Sequence, residues 1–271
     1  MNGIRLDNEM VTRSLAPSRE RAKAMIMAGE VLVNGKKADK AGTEIKPEDE
    51  ITVLKNPIPF VSRGGLKLDK AVKVFSLSLS DKRCIDVGAS TGGFTDCMLQ
   101  NGAKHVHAVD VGYGQLDWKL RNHPDVTVME RTNARYMVPE WYPYPFDFAS
   151  IDVSFISLKL ILPALISCLN DEAEVIALIK PQFEAERSEI GKKGVVRDST
   201  VHKRVCVMLM EAAATFGYTV KGLSFSPITG PEGNIEFLLY LTKRAPDNAV
   251  LSEEFSALAE SVVKAAHENK F

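Results

Sequence analysis

The run Cys84-Ile85-Asp86-Val87 followed by Gly88-Ala89-Ser90-Thr91-Gly92-Gly93 constrains this chain more than any other segment. Four residues of strand character enter a glycine turn, and the residues after it, up to Asn101-Gly102, read as a helix with its stop. The same strand–turn–helix unit recurs downstream. His105–Val109 reads as a second strand ending on Asp110, Val126–Met129 as a third, and Phe146–Ile151 as a fourth ending on Asp152. A helix over 156–169 leads to a fifth strand, 174–179, that ends at Lys180. A helix over 202–216 then precedes a closing pair of strands, 221–225 and 234–241. This alternation predicts an α/β domain, a Rossmann-like parallel sheet that binds ligands at the carboxyl ends of its strands.

The turn discriminates between cofactors. A dinucleotide turn needs glycines at G-x-G-x-x-G, so that backbone amides close on a pyrophosphate. Here the spacing is G-x-x-x-G-G, and Asp86 stands two residues before the first glycine. A carboxylate there suits the ammonium and sulfonium of S-adenosylmethionine better than a pyrophosphate. Gly88, Ser90, Thr91, Gly92 and Gly93 would carry the turn around the cofactor, Asp110 would accept the ribose hydroxyls, and Asn133 would lie against adenine. A plain turn residue is the competing reading of Asn133.

The sequence changes character near residue 60. The segment 54–65 holds Pro57, Pro59, Gly64 and Gly65 and reads as a linker, so the expected domains are 1–60 and 61–271. In the first, Ser18 is a plausible N-cap for a helix from Arg19 to Ala28, with Gly29 as its stop. The turn Asn34-Gly35 between Val31-Leu32-Val33 and Lys36-Lys37 is a hairpin signal. A strand over Ile51–Val53 follows the acidic turn Pro47-Glu48-Asp49-Glu50. Together, Arg-Leu-Asp, then Ser-Arg-x-x-Ala-x-x-x-Ile-x-x-Gly-x-Val-x-Val-Asn-Gly, then an acidic turn before Ile-x-Val, resemble the RNA-binding module of ribosomal protein S4, a small α+β domain. The resemblance implies that Arg5, Ser18, Arg19, Lys23, Lys36 and Lys37 face RNA. Basic side chains there would neutralise phosphates and set register without reading bases.

Four polar residues stand in distinctive contexts: Lys67 in Ser-Arg-Gly-Gly-x-Lys-Leu, Asp152 in Ile-Asp-Val-Ser-Phe, Lys180 in Leu-Ile-Lys-Pro-Gln-Phe and Glu236 in Gly-Asn-Ile-Glu-Phe. Their order, behind an S4-like module, resembles the TlyA family, historically called hemolysins, in which that module precedes an FtsJ-like methyltransferase domain. The resemblance extends to about Thr242. It implies 2′-O-methylation of ribose in ribosomal RNA from S-adenosylmethionine, with Lys67, Asp152, Lys180 and Glu236 as the catalytic set. Arg63 and the basic loop with Lys192, Lys193 and Arg197 would join the RNA contacts, and ribosomal RNA or ribosomal subunits would be the partner. The chemistry is coherent: a lysine accepts a proton near neutral pH only if burial or a second cation lowers its pKa. Lys67 would be that cation, Asp152 would orient Lys180, and Glu236 would balance the charge. The chain departs from its relatives at Pro59-Phe60-Val61 and in the tail beyond 245, where Leu251, Phe255, Leu258 and Val262 share one helical face.

Other classes are harder to build from this sequence. A net charge of −1 leaves no bulk attraction for nucleic acid, so RNA binding must rely on a local basic face. Cys84, Cys97, Cys168 and Cys206 form no C-x-x-C pair, which argues against structural zinc and fits a reducing cytoplasm. His105 and His107 lack a nearby third ligand, so no metal is expected. The longest apolar stretch, 156–169, is interrupted by Lys159 and Pro163 and is shorter than the ~20 residues that span a bilayer. A membrane-lysing protein and a catalytically inactive RNA-binding scaffold are the rival readings. A monomer or weak homo-oligomer is expected.

Overall fold

The computed structural model describes residues 3–27, 29–54, 58–243, 250, 252–269 and 271. It divides into two compact units, Met1–Ile58 and Pro59–Phe271.

The first unit comprises β1 (Ile4–Arg5), α1 (Leu6–Thr12), α2 (Arg19–Met27), β2 (Val31–Val33), β3 (Lys36–Lys37), β4 (Glu44–Ile45) and β5 (Ile51–Val53). Strands β3, β2 and β5 form an antiparallel sheet, and β1 pairs with β4. Asn34 and Gly35 both take positive φ (50° and 75°), as a two-residue hairpin turn demands. The Ser18 hydroxyl accepts the Arg21 N–H at 3.2 Å, opening α2. Helix α1 is not legible as a helix in the sequence, although Leu6 and Met10 lie four apart and both are fully buried with Ile26.

The second unit contains α3 (Gly65–Val74), β6 (Arg83–Val87), α4 (Gly93–Gln100), β7 (His105–Val109), α5 (Trp118–Arg121), β8 (Val126–Met129), β9 (Phe146–Ile151), α6 (Leu162–Ser167), β10 (Leu169–Ile179), α7 (Ser199–Thr215), β11 (Thr219–Phe225), β12 (Phe237–Thr242) and α8 (Phe255–Glu268). One seven-stranded sheet runs in the order β11-β12-β10-β9-β6-β7-β8. The pairs among β8, β7, β6, β9 and β10 are parallel, whereas β12 is antiparallel to both its neighbours. From β6 the chain moves outward to β8, then crosses back to β9 on the other side of β6. That reversal opens a crevice at the carboxyl ends of β6 and β9, where parallel sheets of this kind hold ligands.

Burial accounts for the central strands. In β9, Phe146, Phe148, Ala149, Ser150 and Ile151 are buried on both faces, the pattern of an inner parallel strand. Truncating such a phenylalanine to alanine costs about 3–5 kcal/mol.

Several elements differ from the sequence expectation. The helix over 156–169 is a short 3-10 turn, Leu158–Leu160, followed by α6, because Pro163 fits only in a helix's first turn. Strand β10 begins at Leu169 and pairs with β9 through an irregular register. Strand β12 begins at Phe237 because Asn234 is committed to a turn, its carbonyl accepting the Gly230 N–H at 2.9 Å. Residues 59–64 are more than linker: Val61 N–H donates to Asp96 at 2.8 Å, Gln100 donates to the Pro59 carbonyl at 2.8 Å, and Phe60 is buried over Gly65. Residues 55–57 of the expected linker, Ala28 of the expected helix and Leu251 of the tail stripe lie outside the described residues. The tail itself is helix α8, which buries Phe255, Ala259, Val263 and Ala266 and packs on α7 and β11. Among the described residues no helix is long and apolar enough to cross a membrane.

Candidate active site

Strand β6 delivers the chain to Gly88 (φ 87°), and Asp152 follows β9 directly, its N–H donating to the Val87 carbonyl at 2.9 Å. A Cβ on Gly88 would lie 2.4 Å from the Asp152 carbonyl oxygen. Only glycine tolerates both this backbone conformation and this approach. Two neighbouring cavities open here, of about 430 and 310 Å³, and Gly88, Ser90, Asp152 and Ser154 line both.

The larger cavity carries Asp110, Gln115, Thr132 and Asn133. Asp110 is fixed by backbone: its carboxylate accepts the Ser90 N–H at 2.8 Å and the Gly112 N–H at 2.6 Å. The Asn133 carbonyl oxygen caps a short turn by accepting the Arg135 N–H, which leaves its amide donors for the cavity. Asn133 is thus a turn residue, as the competing reading has it, and it also lines the larger cavity. Thr91 and Gly93 line the smaller cavity, as does Arg63, whose guanidinium donates to the Thr229 carbonyl at 2.7 Å.

Two turn residues sit elsewhere. Asp86 is wholly buried, with one oxygen accepting from the Thr95 hydroxyl at 2.7 Å and the other from Ser150 at 2.9 Å. Burial pushes its pKa up to about 6, against the pull of those hydroxyls. It anchors β6 to α4 and β9 and lines neither cavity, because the pleat turns its side chain into the layer beneath the turn. Gly92 (φ 94°) also lines neither: a Cβ there would strike Leu120 at 2.2 Å, so it permits close packing against α5.

The four residues of the expected catalytic set come together. Lys180 Nζ lies 2.5 Å from Asp152 Oδ1 and donates to Ser154 Oγ at 2.9 Å. Lys67, projecting from α3, lies 3.7 Å from Asp152 Oδ2 and 2.7 Å from Glu236 Oε2. Charges therefore alternate in space as Lys180, Asp152, Lys67, Glu236. Glu236 is 1% exposed and Lys67 8%. Neither lines either of these two cavities, whereas Asp152 lines both and Lys180 the smaller.

Three features at the site carry no clear signal in the sequence. Phe155, on the rim of the larger cavity, is 90% exposed and takes φ 64°, unusual for a bulky side chain. Its ring lies 4.9 Å from that of Phe183. Glu184 binds the loop between Asp152 and Leu158.

The basic residues divide by environment. In the first unit Arg5 and Arg19 both donate to the buried Asp7, at 2.9–3.0 Å. The Arg5 hydrogen bond, aided by Arg19, holds the Asp7 carboxyl down at about 2. These two arginines brace β1 and α2 as well as presenting charge, and Asp7, which the sequence shows only as part of Arg-Leu-Asp, is their shared anchor. Lys36 and Lys37 are exposed, Lys23 is half-buried, and Ser18 is occupied as a cap. In the second unit Lys192, Lys193 and Arg197 are exposed on one loop, which Asn234 secures by accepting from Val196 N–H and donating to the Gly194 carbonyl. His105 bonds Thr127, and His107 is buried among Tyr142, Tyr144 and Phe146.

Comparison with known proteins accords with this architecture. Residues 60–243 match the FtsJ-like methyltransferase model, and residues 4–51 match the S4 domain. The Mycobacterium tuberculosis 16S/23S rRNA (cytidine-2'-O)-methyltransferase TlyA is 44% identical over 88% of this chain and 89% of its own. The chain belongs to the TlyA family of FtsJ-like methyltransferases. A Bacillus subtilis protein, YqxC, provisionally named an rRNA methyltransferase, is 57% identical over 88% of this chain and 85% of its own. The solved structure of a hemolysin-named protein from Streptococcus thermophilus superposes with a TM-score of 0.78 at 48% identity, covering 99% of this chain and 97% of that one.

Proposed function

We propose that this chain methylates a ribose 2′-hydroxyl of ribosomal RNA, with S-adenosylmethionine as donor. The observation that carries the reading is Lys180: it reaches the cavity wall beside Asp152, while a buried Lys67–Glu236 pair backs that carboxylate. The names of the M. tuberculosis and B. subtilis relatives point to the same substrate class.

The larger cavity fits the donor. Asp110 offers a ribose diol a carboxylate already oriented by two backbone amides, Asn133 offers amide donors to a base, and Gly88 admits a ligand close to the backbone. S-adenosylmethionine supplies an electrophilic methyl group when bound. The chain's own residues deal with the nucleophile. A ribose hydroxyl is a weak nucleophile until its proton is drawn away. Lys180 Nζ is the group to take that proton, with Asp152 and Ser154 fixing its direction. Lys67 lies against the other oxygen of Asp152, and Glu236 holds Lys67 in place. Holding the hydroxyl in line supplies much of the remaining acceleration. Phe155, exposed beside this site, offers a face on which the base attached to that ribose can stack. Exposed Lys36, Lys37, Lys192, Lys193 and Arg197 supply phosphate contacts.

The test is transfer of labelled methyl from S-adenosylmethionine to ribosomal subunits that lack the modification, with 2′-O-methyl mapping of the product. Label at one ribose supports the reading; label on a base, or none, rejects it.

A further inference from the structure

The loop from Asp152 to Leu158 carries Ser154, which holds Lys180, and Phe155, whose exposed ring gains little from the fold. Phe155 also takes a left-handed backbone conformation that favours glycine. Nothing in the side chain's own preferences keeps it there, so another group must. That group is Glu184, which follows Lys180 by one 3-10 turn, Pro181–Phe183. Its Oε2 accepts from the Ser157 hydroxyl at 2.6 Å and its Oε1 from the Leu158 N–H at 2.7 Å. The same turn presents Phe183, against which Phe155 packs.

We infer that Glu184 is a positioning residue for the RNA: its carboxylate latches the Asp152–Leu158 loop to the turn after Lys180 and so sets Phe155 and Ser154 at the cavity. The inference rests on the methyl-transfer reading above. Glu184 touches no reacting atom; it acts through the loop. Burial raises its pKa, and the two donors offset that cost. A glutamine in its place can preserve both bonds, its oxygen accepting from Leu158 N–H and its amide donating to Ser157 Oγ. Alanine can preserve neither.

Steady-state transfer to ribosomal subunits lacking the modification, with melting temperature and S-adenosylmethionine affinity measured in parallel, tests the latch. Glu184→Ala is expected to raise the KM for the subunit at least tenfold, with cofactor affinity within twofold of wild type. Glu184→Gln is expected to stay within threefold on every parameter. Ser157→Ala removes one bond only and is expected to fall between them, which keeps the test open if Glu184→Ala folds poorly. Phe155→Ala is expected to match Glu184→Ala, and the double variant to be no worse than the worse single. A normal KM in Glu184→Ala and Ser157→Ala beside a raised one in Phe155→Ala overturns the latch and leaves the functional reading intact. Normal KM values in all variants overturn it too, as does a loss that merely tracks a lowered melting temperature. Wild-type protein that transfers no methyl to RNA fails the functional reading itself.

Discussion

Lys67 and Glu236 meet at 2.7 Å, although one projects from the first helix of the second unit and the other stands at the threshold of its last strand. The pair is nearly solvent-free, and Asp152 is the next charge along, 3.7 Å from Lys67. Breaking such a pair from one side strands the other charge, at a cost of about 3–5 kcal/mol. Glu236→Ala should therefore lower stability by that order in urea unfolding and also slow transfer. Replacing both partners together, Lys67→Met with Glu236→Leu, should recover much of the stability and none of the activity. A double variant that remained active would show the pair to be structural alone.

Asp110 tests the cofactor site. Its carboxylate is held by Ser90 and Gly112 amides, so it needs no reorganisation to accept a diol. Asp110→Ala should forfeit charge-assisted hydrogen bonds worth roughly 1.5–3 kcal/mol each. Calorimetry should then register at least a tenfold weaker S-adenosylmethionine affinity without loss of secondary structure. Wild-type affinity would move the cofactor away from Asp110.

The RNA face of the first unit is better probed away from Arg5 and Arg19, because both also clamp Asp7. Lys36 and Lys37 are exposed and bear no such duty. Lys36→Glu with Lys37→Glu should weaken RNA binding across sequences and reduce the salt slope by about one unit for each phosphate left without its cation. Cofactor affinity should not move. An unaltered salt slope would take the hairpin out of the interface.

Much of this arrangement is legible in the chain, and the exceptions have physical reasons. Strands β7 and β9 stand where the apolar pattern puts them because inner parallel strands are continuous buried runs, and β8, half-buried at the edge of the sheet, keeps its expected bounds as well. The positions of Lys67, Asp152, Lys180 and Glu236 are legible through their local contexts, but their alternation in space is not, since it depends on strand order. Asp86 shows the opposite failure. A carboxylate before a glycine turn suggests a ligand contact, yet the pleat turns it inward onto Thr95 and Ser150. Gly92 likewise serves packing. Phe155 and Glu184 look like ordinary loop residues until the loop geometry is known.

Two buried imidazoles and one buried carboxyl shape acid stability. Burial lowers His107 and His202 from 6.5 to about 4. Between those values the unfolded chain binds more protons than the folded one, so their contribution is complete above pH 6.5 and is lost as pH falls towards 4. The loss is on the order of 3 kcal/mol per histidine. Asp86, raised to about 6, acts in the opposite sense: its burial costs stability at neutral pH, and that cost is relieved as pH falls from about 6 to below about 4. Urea unfolding at about pH 7 and about pH 4.5 should show His107→Phe with His202→Leu losing less stability on acidification than wild type. Asp86→Asn should lose more. Equal acid sensitivity in all three proteins would contradict the assignment.

Single-turnover methyl transfer by folded Lys180→Ala, with saturating S-adenosylmethionine and ribosomal subunits, addresses the central claim most directly. Lys180 is the amino group at the cavity wall, 2.5 Å from Asp152. The account predicts near-normal binding of both substrates and a rate lowered by roughly 10²–10⁴, the usual contribution of a positioned acid–base group. Lys180→Arg should not restore it, because a guanidinium stays protonated. Full-speed transfer by Lys180→Ala would contradict the account and leave alignment alone as the source of catalysis.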